Sequence, residues 1–392
     1  MEQTAERIVN DHDKATQYPY ELALKLLELK GSDIFITAGS PPALKINQEV
    51  RRIGGQNLNP QQTALLVRSV MNDRQARDFD QYREVNFSLN FPDVARFRVS
   101  AFTQRGSAGM VLRLIQQRIP TLEELNLPPI LRDIALTKRG LVIFLGGTGC
   151  GKTTTMAAML DFRNSQCREH IITVEDPIEF FHRHKLSLVD QREVGVDTDS
   201  YETALKNTLR QAPNVILIGE VRDRETMQAV INFAETGHLC LTTLHASNTD
   251  QAFDRIVNFF PEERREQVLM DLSFNVKAFV SQRLLPREDQ PGLIPAVEIL
   301  LNTPLMAELI FQGRVKEIKS IMARSSEQGI VTFDEALFQL YEAGRIGYET
   351  AIRHADSANN LRLRIKLESK RSPPRAAGEG RFQIEADHRS KR

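Results

Sequence analysis

The sequence predicts an α/β protein: a parallel-sheet nucleotide-binding unit preceded by a smaller α+β unit. Three observations predict it. A loop of the form G-x-x-x-x-G-K-T occupies residues 146–153, between an apolar run and a helix-like stretch. From Arg139 onward short apolar strands alternate with helical stretches, the pattern of a parallel sheet covered on both faces. The chain has 392 residues, too many for one ordinary core, and the part ahead of the loop shows a different, period-two pattern.

The elements follow in order. Residues 1–17 are polar and unpatterned, a loose arm. Over 18–30, Leu22, Leu26 and Leu29, with Ala23 and Leu27 beside them, recur at helical spacing, and Gly31 ends the helix. Residues 32–39 and 43–47 read as strands joined by a turn at Pro41-Pro42. Asn59-Pro60 starts a helix, cap first and proline second, which runs to about residue 80. Strands are expected at 84–90, 95–104 and 109–115. In the middle one Arg96, Arg98 and Ser100 share a face, and Ala95, Phe97, Val99 and Ala101 share the other. Residues 18–117 thus form the small domain. Residues 118–133, with Pro120, Pro128 and Pro129, form a linker around a short helix.

Residues 134–355 form the nucleotide domain with its C-terminal helices. Strands are expected at 141–145, 171–174, 215–218 and 239–243, and helices at 152–164, 201–211, 224–235 and 249–258. After Pro261 come one long amphipathic stretch (262–284), a strand-like segment (293–300) and helices to about residue 355. The segment LRLRIKLES (361–369) alternates, and periodicity is then lost. Residues 361–392 hold ten Lys/Arg against four Asp/Glu. Residues 356–392 are therefore expected to be a disordered basic tail, with contact to anionic lipid as the sharper reading.

Bulk composition excludes several classes. At 41 % hydrophobic and 26 % charged residues the chain reads as soluble and globular. No run approaches the length of a membrane span, and the first thirty residues lack a signal-peptide core, so a cytosolic protein is expected. Cys150, Cys167 and Cys240 form no C-x-x-C pair, which implies neither a disulfide frame nor a cysteine zinc site. Formal net charge is zero, and there is no aromatic-basic stripe, so nucleic acid is not an expected partner.

The loop at 146–153 says what kind of ligand to expect. Glycines at 146, 149 and 151 let the backbone curl so that several N–H groups face one anion, and the helix that follows adds partial positive charge. Lys152 suits the β- and γ-phosphates, and the Thr153 hydroxyl suits Mg²⁺. Thr148 and Thr154 complete the phosphate-binding set. In IITVEDPIEF (171–180) a strand delivers Glu175 and Asp176 at its carboxyl end, where open α/β sheets place ligands. Adjacent acids there call for a cation or hydrogen-bond donors. In NVILIGEVRD (214–223) a second buried strand ends at Gly219-Glu220. A carboxylate there positions or deprotonates the attacking water, and Glu220 is the leading candidate for the base. Gly219 stands where many such enzymes carry an aspartate. Arg222 and Asp223 read as an ion pair fixing the turn. In ETGHLCLTTLHASN (235–248), His238 and His245 bracket a further strand, and His245, at the catalytic end, is placed to sense the γ-phosphate. Cys150 is expected to be a spectator thiol with a largely free side chain.

Together GGTGCGKTTT, ITVEDPIEF, VILIGEVRD and GHLCLTTLHASN resemble, in order and spacing, the Walker A, Asp box, Walker B and His box of the type II/IV secretion ATPases. Within that family, SDIFITAGSPPALKINQEV, ARFRVSAFTQRG, MVLRLI, QREVG and LRQAPNVILIGEVRD resemble the type IV pilus retraction group, the PilT/PilU group, over residues 18–355. Three departures point to its accessory, PilU-like branch. Thr303-Pro304 is followed by LMAELI, with Ala307 where the main retraction enzyme's A-I-R-N-L-I carries arginine. Phe35 replaces an expected histidine. Residues 356–392 extend past the usual end.

The resemblance implies a RecA-like ATPase domain preceded by a PAS-like domain, with ATP and Mg²⁺ bound between them. It implies that Thr153, Glu175 and Glu220 serve the metal, and that Glu220, Glu175 and His245 serve catalysis. Arginines of the first domain reach the phosphates; Arg98 and Arg113 match, with Arg96 and Arg105 as further candidates. It also implies a hexameric ring, a paralogous retraction ATPase and an inner-membrane platform protein as partners, and a cytoplasmic, peripheral location. Its work would be pilin withdrawal as accessory partner of the main retraction ATPase; the alternatives are an ATP-binding coupling subunit with little motor activity of its own, or a secretion or pilus assembly ATPase.

Overall fold

The computed structural model describes residues 12–47, 49–92, 94–115, 118–324 and 329–371. It bears out the α/β prediction, with an antiparallel sheet first and a mostly parallel sheet second.

The first sheet has six strands: β1 (Asp33–Ile36), β2 (Ala43–Ile46), β3 (Glu49–Arg52), β4 (Glu84–Phe91), β5 (Ala95–Gln104) and β6 (Ser107–Ile115), in the order β3-β2-β1-β6-β5-β4. All its pairings are antiparallel. Helices α1 (His12–Glu28), α2 (Pro60–Ser69) and α3 (Asp73–Tyr82) bury Leu22, Leu26, Leu66, Val67 and Phe79 in the same core as Phe97 and Val99 of β5. β5 alternates as expected, with Ala95, Phe97, Val99 and Ala101 inside. The single helix expected from Asn59 to about residue 80 is two. Asn72 accepts from the Gln75 backbone N–H, and the Gln75 side chain returns the bond, so a second capping box restarts the helix. The first helix also begins earlier than expected, inside the segment read as an arm; residues 1–11 lie outside the described residues.

Residues 118–135 do not behave as a free linker. Leu122 and Leu127, and Leu131 and Ile134 of α4 (Ile130–Ala135), are buried with Val142, Phe144 and Met159 of the second unit. Arg163, 2 % exposed, fixes this segment by donating to the carbonyls of Ala135 and Thr137 at 2.6 and 2.7 Å and to Glu169 at 2.7 and 2.9 Å.

The second sheet runs β13-β12-β7-β11-β10-β8-β9, with β7 (Gly140–Leu145), β8 (His170–Glu175), β9 (Leu188–Glu193), β10 (Val215–Ile218), β11 (Leu239–Leu244), β12 (Val276–Pro286) and β13 (Leu293–Leu301). Only β13 is antiparallel to its neighbour. Every side chain of β7, β10 and β11 is buried, as a sheet covered on both faces requires. The covering elements include α5 (Lys152–Gln166), α6 (Tyr201–Thr208), α7 (Arg224–Glu235), α8 (Thr249–Asn258) and α9 (Arg265–Asn275). The stretch read as one amphipathic unit over 262–284 splits at residue 275: α9 ends and β12 begins, pairing with both β7 and β13.

Past α10 (Pro304–Phe311) and α11 (Val315–Met322), helices α12 (Phe333–Glu342), α13 (Tyr348–His354) and α14 (Ala358–Glu368) pack on the β12–β13 hairpin through Leu285, Ile294 and Ala296. Here the expected tail is corrected. Residues 358–368 are a helix, and Leu361 and Ile365 are buried in that cluster. Residues 372–392 lie outside the described residues, so the disorder and lipid readings concern a segment about which the structure says nothing.

Candidate nucleotide site

The carboxyl ends of β7, β8, β10 and β11 meet at one edge of the second sheet, and a cavity of about 300 Å³ opens there. Thr148, Gly149, Lys152 and Thr153 line it from the loop after β7, Glu175 and Asp176 from the end of β8, Glu220 from the end of β10, and Thr243 and His245 from the end of β11. Four sequence motifs, up to about a hundred residues apart, thus converge on one space because they all follow parallel strands. Gly146, Gly151 and Thr154 belong to the loop and the start of α5 but do not line the cavity.

Lys152 opens α5 and is only 8 % exposed. Its ammonium donates to the carbonyls of Gly146 and Gly147 at 2.8 and 2.9 Å, so the charge is already folded into the loop. Glycine is required at 146: a Cβ there would stand 2.7 Å from the Gln282 carbonyl and would overlap Cys150 Sγ. Cys150 is therefore not the free side chain expected. It is half-buried over Gly146, with Sγ 3.9 Å from Lys152 Nζ. The loop is braced from below, where Thr155 Oγ1 donates to Gln282 Oε1 of β12 at 2.8 Å.

The two glutamates sit in different surroundings. Glu175 is buried, and its Oε1 accepts from Thr173 Oγ1 at 2.7 Å and Gln191 Nε2 at 3.4 Å. Burial pushes its carboxyl up to about 7, against the pull of those two hydrogen bonds. Gln191 is itself held, donating to the Phe180 carbonyl at 2.9 Å and accepting from the His182 N–H at 2.8 Å. Glu220 has both oxygens engaged: Oε2 accepts from Arg222 Nε at 2.9 Å, and Oε1 lies 3.1 Å from His245 Nε2. Arg222 also reaches Asp176 at 3.8 Å.

The turn after Glu220 corrects one expectation. Arg222 pairs with Glu220 and Asp176, whereas Asp223 caps α7 by accepting from the Thr226 N–H at 2.8 Å. Of the two histidines, only His245 faces the cavity; His238 Nδ1 stays near Thr236 Oγ1 and the Phe233 carbonyl, both at 3.1 Å, at the opposite strand end.

Arg98 and Arg113 are not among the cavity's lining residues in this single chain. They stand directly opposite each other on β5 and β6. Arg113 Nε donates to Asp33 Oδ1 at 2.8 Å. Burial raises the carboxyl of Glu193 in β9, Arg98 is close enough to act on it in the opposing direction, and Arg96 lies 5.7 Å over the Phe181 ring. The arginine face thus fronts the segment that carries Phe180 and His182 in the cavity wall. Arg105 is exposed in the β5–β6 turn.

Sequence reasoning missed Tyr201, His182 and Gln191. His182 is buried, and burial lowers its imidazole to about 4, so it is neutral. Its aromatic neighbours in FFH carried no spacing signal, and Gln191 reaches Glu175 only through the β8–β9 register, which sets Thr173 opposite Gln191.

The cavity wall carries the hydroxyls of Thr148, Thr153 and Thr243 and the carboxylates of Glu175, Asp176, Glu179 and Glu220, hard oxygen donors of the kind that suit Mg²⁺. The preceding loop and helix start suit a polyphosphate.

Comparisons with known proteins agree with this geometry. Residues 19–327 match the family described as Type II/IV secretion system protein. The chain is 58 % identical over 351 residues to the type IV pilus ATPase PilU of Pseudomonas aeruginosa, covering 89 % of this chain and 92 % of that protein. It is 40 % identical over 330 residues to the type IV pilus retraction ATPase PilT of the same organism, covering 84 % and 96 %. The crystal structure of the pilus retraction motor PilT with bound ADP superposes with a TM-score of 0.82 at 37 % identity, over 88 % of this chain and 98 % of that one. The chain belongs to the type II/IV secretion ATPase family, in its PilT/PilU group, and is more similar to this PilU than to this PilT.

Proposed function

We propose that this chain is an ATP-hydrolysing subunit of a type IV pilus retraction motor, working as a ring beside a paralogous retraction ATPase. One observation carries the reading: the phosphate-loop lysine, two differently held glutamates and His245 line one cavity at the strand ends.

In this reading ATP enters with its phosphates against the loop, and Lys152 exchanges the Gly146 and Gly147 carbonyls for phosphate oxygens. Thr153, with Glu175 and Glu220 nearby, would hold Mg²⁺, which would supply neutralisation of phosphate charge there. Water attacks the γ-phosphorus, its proton passes to a carboxylate, and the bond to ADP breaks. Glu220 is the sequence candidate for that carboxylate, but Arg222 and His245 already occupy both its oxygens. Glu175 has Oε1 bonded and Oε2 without a protein hydrogen bond among the described residues, and its raised proton affinity suits a base working near neutrality. We therefore assign proton acceptance to Glu175. Glu220 orients the water, and His245 links Glu220 to the γ-phosphate. Arg98 and Arg113 would reach phosphate from the first domain of the same or an adjacent subunit, and hydrolysis would change the angle between domains. A ring would pass that motion to an inner-membrane platform protein.

A second reading, a coupling subunit with little motor activity of its own, is favoured by α10. That helix lacks the arginine expected at position 307 and exposes Leu305 and Phe311. ATPase assay and native mass of the purified chain, alone and mixed with a PilT-type ATPase, test both readings. Turnover by a hexamer alone supports the motor; a chain inactive alone and active only in the mixture supports the coupler. Absence of ATP turnover in every mixture would overturn both.

A further inference from the structure

Tyr201 lines the nucleotide cavity, and the mechanism above gives it no task. It is the first residue of α6, whose N-terminus is fixed by Ser200 Oγ accepting from the Thr203 N–H at 3.1 Å. From there the phenol reaches the end of β10. Gly219 stands at that strand end. A Cβ at 219 would lie 3.0 Å from the Tyr201 hydroxyl oxygen and 3.4 Å from Glu175 Cα. The hydroxyl therefore occupies the space into which a side chain at 219 would project.

That space has a specific meaning. It lies at the end of a central parallel strand, one residue before Glu220, where many P-loop enzymes place an aspartate that holds Mg²⁺ or its water. This chain has a glycine just past the strand and a tyrosine hydroxyl entering from the neighbouring helix. Asp176, Arg222, Glu175 and Glu220 all act electrostatically on that hydroxyl. It makes no hydrogen bond to a protein atom among the described residues. Burial raises its proton affinity, so it stays a neutral phenol with one hydrogen to donate and lone pairs to accept.

We propose that Tyr201 is a positioning residue of the hydrolysis site, its hydroxyl standing in for the missing carboxylate at 219 and orienting a water of the metal–nucleotide complex. A neutral hydroxyl holds such a water without adding a further negative charge to Glu175, Asp176 and Glu220. The proposal rests on the ATP·Mg²⁺ reading of the cavity and adds the residue that reading lacks.

The test uses the full chain and three variants: Tyr201→Phe, Gly219→Asp, and both together. Mn²⁺ is titrated into the protein–ADP complex and followed by electron paramagnetic resonance; ADP affinity in EDTA and kcat are measured beside it. Tyr201→Phe keeps the ring, so ADP affinity in EDTA stays within about twofold, while Mn²⁺ affinity and kcat each fall roughly tenfold. Gly219→Asp alone is impaired, because its Cβ crowds the hydroxyl. The double variant recovers Mn²⁺ affinity, because the aspartate enters the vacated space. Unchanged Mn²⁺ affinity in Tyr201→Phe, or a double variant no better than Gly219→Asp, overturns the proposal. A wild-type ADP complex that binds no Mn²⁺ overturns the ATP·Mg²⁺ reading as well, which separates the two failures.

Discussion

Glu220 Oε1 lies 3.1 Å from His245 Nε2, across the ends of the adjacent parallel strands β10 and β11. The contact joins two motifs twenty-five positions apart through the strand register, in which Ile218 stands opposite Thr242. Thr243 Oγ1 strengthens the same junction by donating to the Gly219 carbonyl at 2.8 Å. His245 is therefore positioned to hold Glu220 on one side while Arg222 holds it on the other. Replacing His245 by alanine leaves Glu220 with Arg222 alone, free to swing toward it. The expected result is a fall in kcat of roughly tenfold with KM for ATP within about twofold, because the contact serves the reacting state more than binding. Steady-state kinetics decide it; a rise in KM at constant kcat would make His245 a binding residue instead.

Glu175 gives a prediction with two arms. Its carboxyl is raised from 4.5 to about 7 by burial. A carboxyl raised on folding binds its proton more tightly in the native state. Its contribution is therefore most favourable below the unfolded value and is lost as pH rises through about 7. Glu175→Gln removes that loss. The variant should match wild type near pH 4.5 and become more stable above pH 7, by about 3 kcal/mol, in denaturant melts at both pH values. Turnover should meanwhile drop at least ~100-fold while ADP still binds. In wild type kcat should rise with pH through about 7, as the base ionises. A variant that turns over normally would return the base to Glu220.

These two residues show how far sequence carried the site. Every strand-end motif was legible, because the phosphate loop and the acidic and histidine boxes each follow an apolar run that reads as a buried strand. What partners them was not. Gln191 bonds Glu175 only because β9 pairs in register with β8. Arg222 turns back to Glu220 and Asp176, not to its neighbour Asp223. Tyr201 meets Gly219 across the top of the sheet. The Gln191 and Tyr201 contacts and the reach of Arg222 to Asp176 depend on tertiary register, which local spacing does not encode. In the fold, Asn72 with Gln75 was a readable helix start that the longer helical pattern concealed. The segment 361–369 carried two periods at once: apolar residues at 361, 363, 365 and 367 satisfy strand alternation, and the 361/365 pair also satisfies helical spacing. Packing decided it.

That packing yields the third prediction. Leu361 and Ile365 are each about 1 % exposed, against Phe333, Leu337 and Ile352. Just ahead of the helix, Asp356 accepts from Arg283 of β12 at 2.9 Å and pairs with Lys319, and the Arg283 guanidinium lies 3.9 Å over the Phe333 ring. α14 is thus part of the second unit's core. Leu361→Ala should cost about 2–4 kcal/mol in denaturant unfolding, whereas Leu363→Ala, on the exposed side of the same helix, should cost under about 1 kcal/mol. Equal effects would mean the segment is not seated as a helix.

The last prediction separates the two arginines of the first domain. Arg98 and Arg113 face each other across β5 and β6, and like charges directly opposite in a sheet are unfavourable by a few tenths of a kcal/mol or more. Arg113 offsets this by neutralising Asp33, a buried carboxylate whose other oxygen accepts from Ser32 Oγ at 2.7 Å. Removing Arg113 strands that carboxylate, at a cost of about 1–3 kcal/mol. Arg98 has no such ward. It faces Arg113 and, across to the second unit, Glu193, so the repulsion and the attraction it loses on removal oppose each other. Arg98→Ala should leave unfolding free energy within about 1 kcal/mol of wild type. If Arg98 meets nucleotide phosphate in the working assembly, the same variant should lose turnover by roughly 100-fold while remaining folded. Arg113→Ala should lose stability first, with turnover falling in step with the unfolded fraction. Denaturant melts and ATPase rates on the two single variants read both quantities. A stable, fully active Arg98→Ala protein would remove Arg98 from the catalytic set and leave the β5–β6 arginine pair a purely structural feature of the first domain.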